Sequence, residues 1–323
     1  MNSPHYAACC DIGGTKVLLG LVDPQGKICA RERYLLGSER EPEWLCNEIV
    51  SRLQNLAAQS GIAWQHVAGI GCSAAVQGDI ERGVVFSAPN IFGSRYDIPL
   101  SDILERAAGV PAWLEMDAYA SALGEAWLGV GVGVDYLAHI IIGTGIGAGI
   151  LMNGEVFRGF RGTAGEFGHM TIVPDGPYCN CGRFGCLEAL ASGPAIALQA
   201  QGALAQNRAT LIKRLAAEGV ITAEHVFLAC RQGDAVAHEI IDQAVRFLAI
   251  GIANLIHLLN PRVISLGGGI IMNNVDLLLE PLRQEVSRRC GYWVDLEQTR
   301  ILPGKLGEES ALLGAAHKVF HRR

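Results

Sequence analysis

Charge is scarce in this 323-residue chain: Asp, Glu, Lys and Arg together make 18% of it, against 50% apolar residues, which is the balance of a well-buried globular protein of two ordinary domains. No cluster of Lys and Arg occurs before the closing His321-Arg322-Arg323, and the net charge is −6, so the electrostatic footprint of a nucleic-acid binder is missing. The opening Met1-Asn2-Ser3-Pro4-His5-Tyr6 has no basic stretch followed by an apolar run, which argues against secretion. No G-x-x-x-x-G-K-[ST] is present, which removes a P-loop. The longest uncharged stretch, Tyr136 to Asn153, approaches the length of a membrane span, but glycines at 143, 145, 147 and 149 make it a poor helix, and it reads as strand, turn, strand.

What the chain does have is a compact set of metal ligands. Cys179, Cys181 and Cys186 follow His169 within eighteen residues, separated by turn-forming glycines, and three thiols with one imidazole complete a tetrahedral Zn²⁺ set. The plainer alternative is buried free thiols, since cysteine packs as a small hydrophobe. Four protein ligands leave no position for water, so the metal is expected to be structural. Glu166 and Glu188 flank the cluster and would be held in fixed places by it, a scaffold suited to recognising hydroxyls. Removing these three from the ten cysteines leaves seven, an odd number that suits a reducing cytoplasm better than a disulfide framework.

Ala7 to Asp23 reads as an apolar run, a glycine turn and a second apolar run, and Ala138 to Glu155 repeats that plan with Asn153-Gly154 as a type I′ hairpin turn. Two such hairpins suggest a duplicated domain with a cleft between the copies. Helical patterns lie at 43–58, 118–128, 195–205, 223–231, 235–259 and 308–320, and Val263 to Leu266 reads as a buried strand. The class is α/β.

Asp11-Ile12-Gly13-Gly14-Thr15-Lys16 sets a carboxylate at a strand end, then two glycines whose backbone N–H groups can approach an anion closely; Thr15 adds a hydroxyl, Lys16 a charge, and Asp11 a site for Mg²⁺. A hairpin turn alone would look the same. Gly143-Thr144-Gly145-Ile146-Gly147 loosely matches a dinucleotide fingerprint, but it leads into Ile150-Leu151-Met152 and an Asn-Gly turn instead of opening a helix. With Gly267-Gly268-Gly269, three glycine loops suit a nucleotide gripped from two domains better than a dehydrogenase.

In order along the chain, Asp11-x-Gly13-Gly14-Thr15-Lys16, Ala88-Pro89-Asn90, Gly143-Thr144-Gly145-x-Gly147, Ala164-Gly165-Glu166-x-Gly168-His169, Cys179-x-Cys181-Gly182-x-x-Gly185-Cys186-Leu187-Glu188, Leu266-Gly267-Gly268-Gly269 and Leu312-Leu313-Gly314-Ala315-Ala316 resemble the ROK family of sugar kinases and related repressors. The resemblance implies an actin-like ATPase (ribonuclease-H-like) fold whose two lobes, 1–117 with 305–323 and 118–304, close on ATP-Mg²⁺ and a hexose or hexosamine, in a cytoplasmic homodimer with no membrane or nucleic-acid partner. Family repressors carry an extra N-terminal DNA-binding domain; here the phosphate hairpin begins by residue 7, so the kinase branch is expected. The resemblance also implies that Asp117 is the catalytic base, and that Asn90, Glu166, His169 and Glu188 hold sugar hydroxyls. A carboxylate near a helix N-terminus suits proton acceptance from an attacking hydroxyl; capping that helix is the plainer role for Asp117.

The pattern breaks on the sugar side. Where the family usually has Asn-Asp-Ala-Asn, this chain has Met116-Asp117-Ala118-Tyr119, and where the family commonly has Pro-Gly-Pro-Val-Asp it has Ser73-Ala74-Ala75-Val76-Gln77. A thioether donates no hydrogen bond, so a sugar hydroxyl left unpaired there would cost about 1–3 kcal/mol. Met116 and Tyr119 are therefore expected to line a more apolar sugar wall; Met116 packing into the helix start is the alternative. A sugar-binding sensor with little or no turnover is the competing function.

Overall fold

The computed structural model describes residues 5–321 except 218 and 296, so Met1–Pro4 and the basic Arg322-Arg323 lie outside it. Contacts divide the chain into two compact units: one runs up to Asp135 and adds 149–164 and the stretch from Lys305, and the other holds 136–148 and 165–304.

The first unit opens with β1 (Tyr6–Ile12), β2 (Lys16–Val22) and β3 (Ile28–Leu35), two antiparallel hairpins in succession. β1 and β2 are mostly apolar and almost wholly buried, with Asp11 and Lys16 at the ends that meet in the glycine turn, whereas β3 alternates half-buried with exposed residues, as suits an edge strand with one solvated face. Helix α1 (Pro42–Gln59) starts on a proline, which needs no hydrogen-bond partner in a first turn, and buries Leu45, Ile49 and Leu53. After it come β4 (Val67–Ala74), the short hairpin β5 (Gln77–Asp79) and β6 (Val84–Ser87), then α2 (Pro89–Phe92), α3 (Leu100–Ala108), β7 (Ala112–Met116) and α4 (Asp117–Leu128). The sheet order is β3-β2-β1-β4-β7, with β4 parallel to both β1 and β7.

The second unit begins with β8 (Leu137–Ile142); β9 (Ile146–Met152) then carries the chain across the division, and β10 (Glu155–Val156) follows. Asn153 and Gly154 both take positive φ, 56° and 77°, the type I′ turn expected from the sequence. Helices α5 (Leu187–Ala191), α6 (Gly193–Ala205), α7 (Ile212–Ala216), α8 (Ala223–Arg231) and α9 (Ala235–Leu259) precede β11 (Val263–Gly267), α10 (Gly269–Met272), α11 (Val275–Ser287) and β12 (Arg300–Pro303). This sheet runs β10-β9-β8-β11-β12. Numbered from its own first strand, each sheet has the order third, second, first, fourth, fifth, the repeated plan that the two hairpins announce. The last helix, α12 (Ser310–Phe320), returns to the first unit, where its Leu312, Leu313 and Ala316 pack on β1 and β2.

Helix α9 is the one described helix long and apolar enough to cross a membrane, yet Ile240, Ile241, Leu248, Ile252 and Ile256 are buried in the second unit's core, which assigns it to packing. Its N-terminus is capped by the Asp234 carboxylate, which accepts the Ala237 N–H at 2.8 Å. Helices α2, α3, α5, α7, α10 and α11 carry no expectation from the sequence, and Pro281 lies inside α11.

Candidate functional site

In the first unit the β1–β2 turn is closed by the Gly13 N–H on the Lys16 carbonyl at 3.0 Å. Asp11, one residue from the end of β1, accepts the Ser73 hydroxyl at 2.7 Å, and burial pushes its carboxyl above the usual range. Ser73 is one of the departures noted above, and the register Asp11↔Ser73 between parallel β1 and β4 sets the two side by side. A Cβ at Gly14 would stand 3.1 Å from the Asn90 Cβ, so the missing side chain lets the turn approach α2 closely. Asn90 itself is exposed. Lys16 is half exposed, with its ammonium 3.3 Å from Glu308, and Thr15 is exposed.

Asp117 is the first helical residue of α4, and its Oδ1 accepts the N–H of Ala118 at 2.8 Å. Met116 occupies the cap position, so Asp117 does not cap the helix in the usual way. Met116 is 8% exposed and belongs to the first unit's core.

Tyr119 is put to a different use from the one expected of it. It is 1% exposed, and its hydroxyl donates to the carbonyl of Ala164 at 2.5 Å, with that of Gly162 at 3.3 Å. The reason is helical geometry: residues two apart are about 200° apart around the axis, so Asp117 and Tyr119 leave α4 on opposite sides. The Arg158 guanidinium lies 5.3 Å from the Tyr119 ring centre and grips the buried Glu115 carboxylate with two hydrogen bonds of 2.7 and 2.6 Å. Lys318 adds a third contact to Glu115 at 3.1 Å. Burial would raise the Glu115 carboxyl, but Arg158 and Lys318 outweigh it and hold the group below its ordinary value. Glu115, Arg158 and Lys318 carry no signal in the sequence, being 43 and 203 positions apart.

In the second unit His169, Cys179, Cys181 and Cys186 bring one donor atom each to within 4.8 Å of one another. The Cys181 and Cys186 sulfurs are 3.7 Å apart, and Cys179 Sγ is 3.7 Å from His169 Nδ1. Sulfurs bound at about 2.3 Å to a tetrahedral centre would be about 3.8 Å apart, so these residues fit Zn²⁺. The loop is built by glycines: Gly182 and Gly185 have φ of 86° and 70°, and a Cβ at Gly185 would fall 1.6 Å from the Val173 carbonyl oxygen. With Nδ1 among the thiols, His169 Nε2 is left 3.8 Å from Glu166 Oε2.

Glu188, expected at the sugar, spends one oxygen on the Ile146 N–H at 2.9 Å. That bond ties α5 to the glycine turn between β8 and β9, and a Cβ at Gly145 would come within 2.7 Å of the same oxygen. The Gly193 N–H, at the start of α6, donates to the Gly143 carbonyl at 2.9 Å. A cavity of about 850 Å³ opens here, lined by Gly143 and Thr144 from one glycine loop and Gly269 from another, together with Pro194, Thr222, Phe227, Arg231 and Asn274. Gly145, Gly147, Gly267 and Gly268 are not among the residues that line it. Gly268 has φ of 85°, and a Cβ there would meet the Ile142 carbonyl oxygen at 2.4 Å, so its role is the backbone turn. The walls from α6 and α8 had no sequence signal, because nothing local marks which helix faces will border a cavity. Arg231 is held in place by Asn274 at 2.9 Å and Asp276 at 2.8 Å.

The sequence profile of the ROK family matches residues 7–321. A glucokinase of Thermotoga maritima is 35% identical over 97% of this chain and 96% of its own length. The xylose repressor of Bacillus subtilis is 29% identical over 98% of this chain and 77% of its own. Among solved structures, a ROK family glucokinase from Streptomyces griseus in complex with glucose and AMPPNP superposes with a TM-score of 0.78 at 34% identity, covering 96% of this chain and 98% of that one.

Proposed function

This chain belongs to the ROK family, and we propose that it is an ATP-dependent carbohydrate kinase that transfers the γ-phosphoryl group of ATP to a hydroxyl of a hexose or hexosamine. The observation that carries the reading is the cavity on which two glycine loops of the second unit open, in a chain similar over nearly its whole length to a kinase whose structure holds glucose and AMPPNP. The glycine-loop backbone beside the cavity and the positive dipole end of α6 suit phosphate oxygens, and its apolar walls suit a base. Asp117 takes the proton of the sugar hydroxyl as that oxygen attacks the γ-phosphorus and ADP leaves; positioning and charge neutralisation supply most of the rate. Asp11 is the residue to hold Mg²⁺, which would neutralise phosphate charge, and the Ser73 hydroxyl orients one of its oxygens.

Asn90, Glu166 and His169 are the proposed sugar ligands. Zn²⁺ held by His169, Cys179, Cys181 and Cys186 would fix the histidine ring through Nδ1 and leave Nε2 for Glu166 or the sugar. Glu188 acts more through the glycine turn than on the sugar directly, given its bond to Ile146. A cytoplasmic homodimer completes the proposal.

The test is ADP release with ATP-Mg²⁺ across a panel of hexoses, hexosamines, N-acetylated and deoxy sugars. Turnover with one class is expected; silence across the panel would overturn the kinase reading. Met116, Ser73-Ala74-Ala75 and the similarity to a repressor favour one competitor, a sugar-binding sensor, which would show measurable sugar affinity without ADP formation.

A further inference from the structure

We propose that Tyr119 is a positioning residue for the sugar site: its hydroxyl clamps the loop 158–164, which leads directly into Glu166, and so sets the backbone from which that carboxylate reaches the substrate. This rests on reading Glu166 as a sugar ligand.

The loop has little else to define it. It turns through two left-handed glycines, Gly159 at φ 69° and Gly162 at φ 73°, and Gly165 at φ 82° follows immediately before Glu166. Such glycines leave the unclamped chain many conformations. Phe160 at its tip is 98% exposed, so no apolar packing anchors the middle. Its ends are joined by the Ala164 N–H on the Arg158 carbonyl at 3.0 Å. Polar contacts from β7, α4 and α12 hold it further, and the Ala148 N–H donates to the carbonyl of Gly165, the next residue, at 3.1 Å. Arg158 is fastened to Glu115, itself tied to Lys318, and Tyr119 takes the Gly162 and Ala164 carbonyls. The last of those carbonyls is two residues from Glu166.

A buried tyrosine hydroxyl needs some acceptor wherever it lies, so a partner alone would mean little. Two features make these contacts more than satisfaction of a donor. The acceptors are both in one glycine-rich loop, and the ring is held against the guanidinium that fixes the loop's other end. The Met116 N–H is also bonded to Glu115 Oε1 at 3.1 Å, so one network carries both the strand end before Asp117 and the loop before Glu166. The position where the family commonly has an amide thus contributes here by ordering the polypeptide. A preorganised ligand carboxylate binds more tightly because less freedom is lost when substrate arrives.

The experiment compares Tyr119→Phe, which keeps the ring and deletes the hydroxyl, with wild type and with Glu166→Gln. The readouts are KM for D-glucose (or for the best acceptor of the panel if glucose is not turned over), KM for ATP, and amide hydrogen exchange of residues 159–165. Tyr119→Phe is expected to raise the sugar KM about tenfold, the equivalent of one lost hydrogen bond, to leave the ATP KM within about twofold, and to speed exchange in that loop. Unchanged sugar KM with a lowered melting temperature would make Tyr119 a packing residue and overturn the proposal, as would equal rises in both KM values. A Glu166→Gln defect beside a silent Tyr119→Phe would sink this inference alone, whereas a silent Glu166→Gln would remove the sugar role of Glu166 and with it this route. Arg158→Lys, which keeps the charge but loses the two-pronged grip on Glu115, should reproduce the exchange phenotype.

Discussion

Asp117 begins α4 directly after a buried strand, with one carboxylate oxygen on the Ala118 N–H and the other not engaged by that bond. For a proton acceptor this means that the first turn of its own helix helps to orient the side chain. Asp117→Asn keeps the shape and removes the basicity; kcat is expected to fall by at least about 10²-fold while ATP affinity, measured by calorimetry, stays within about twofold. Retained turnover would remove Asp117 as the base. At this scale the sequence reads poorly where a residue acts through a distant neighbour. Met116 and Tyr119 flank Asp117 in sequence, which suggested that they line the substrate with it. Both are buried, because a strand end and the far side of a helix turn side chains inward irrespective of what the residue between them does.

The helices α4 and α12 show how an element can be chosen by what it omits. A Cβ at Gly314 would lie 1.7 Å from the Ala120 carbonyl oxygen, and one at Gly124 would lie 2.1 Å from that of Ser310, so the two helices meet backbone to backbone through paired glycines. Gly314→Ala would force them apart and is expected to cost about 2–4 kcal/mol, read as a lower melting temperature. The Leu312-Leu313-Gly314-Ala315-Ala316 motif was visible in the sequence, but its reason, a crossing with α4 almost 200 residues earlier, was not. At the other end of α12, burial and the stacked His321, 4.3 Å away, push the His317 imidazole from 6.5 down to about 4. The fold holds this ring neutral, so as pH falls below 6.5 the unfolded chain takes up a proton that the folded one refuses until about pH 4. Stability therefore drops across that window and this contribution levels off below it. Allowing for the ring's partial exposure, wild type should lose about 1–2 kcal/mol more than His317→Phe between pH 7.5 and 4.5, measured by denaturant unfolding. Equal losses would mean that His317 titrates normally.

Across the whole molecule the proposed sugar and nucleotide functions draw on separate supports within the second unit. The donor set of the Cys/His cluster contributes none of the residues that line the cavity, and Glu188, two residues after Cys186, reaches the glycine turn through its bond to Ile146. Stripping zinc with a strong chelator should therefore raise the sugar KM by roughly tenfold or more while the ATP KM rises by no more than about threefold. A parallel collapse of both would show that the metal holds the entire unit together.

The sequence by itself determined what depends on near neighbours along the chain: the glycine hairpins, the type I′ turn at Asn153-Gly154 and the tetrahedral donor set, each a local motif, whose order from Asp11 to Ala316 marks the family. Those features are closed by short stretches of backbone, so their spacing is their geometry. Tertiary structure alone decided that Tyr119 serves the loop before Glu166, that Glu188 braces the glycine turn, that Arg158 and Lys318 neutralise Glu115, and that α6, α8 and α10 wall one cavity. Each of these joins residues tens to hundreds of positions apart, and burial selects their partners only once the sheets and helices have packed.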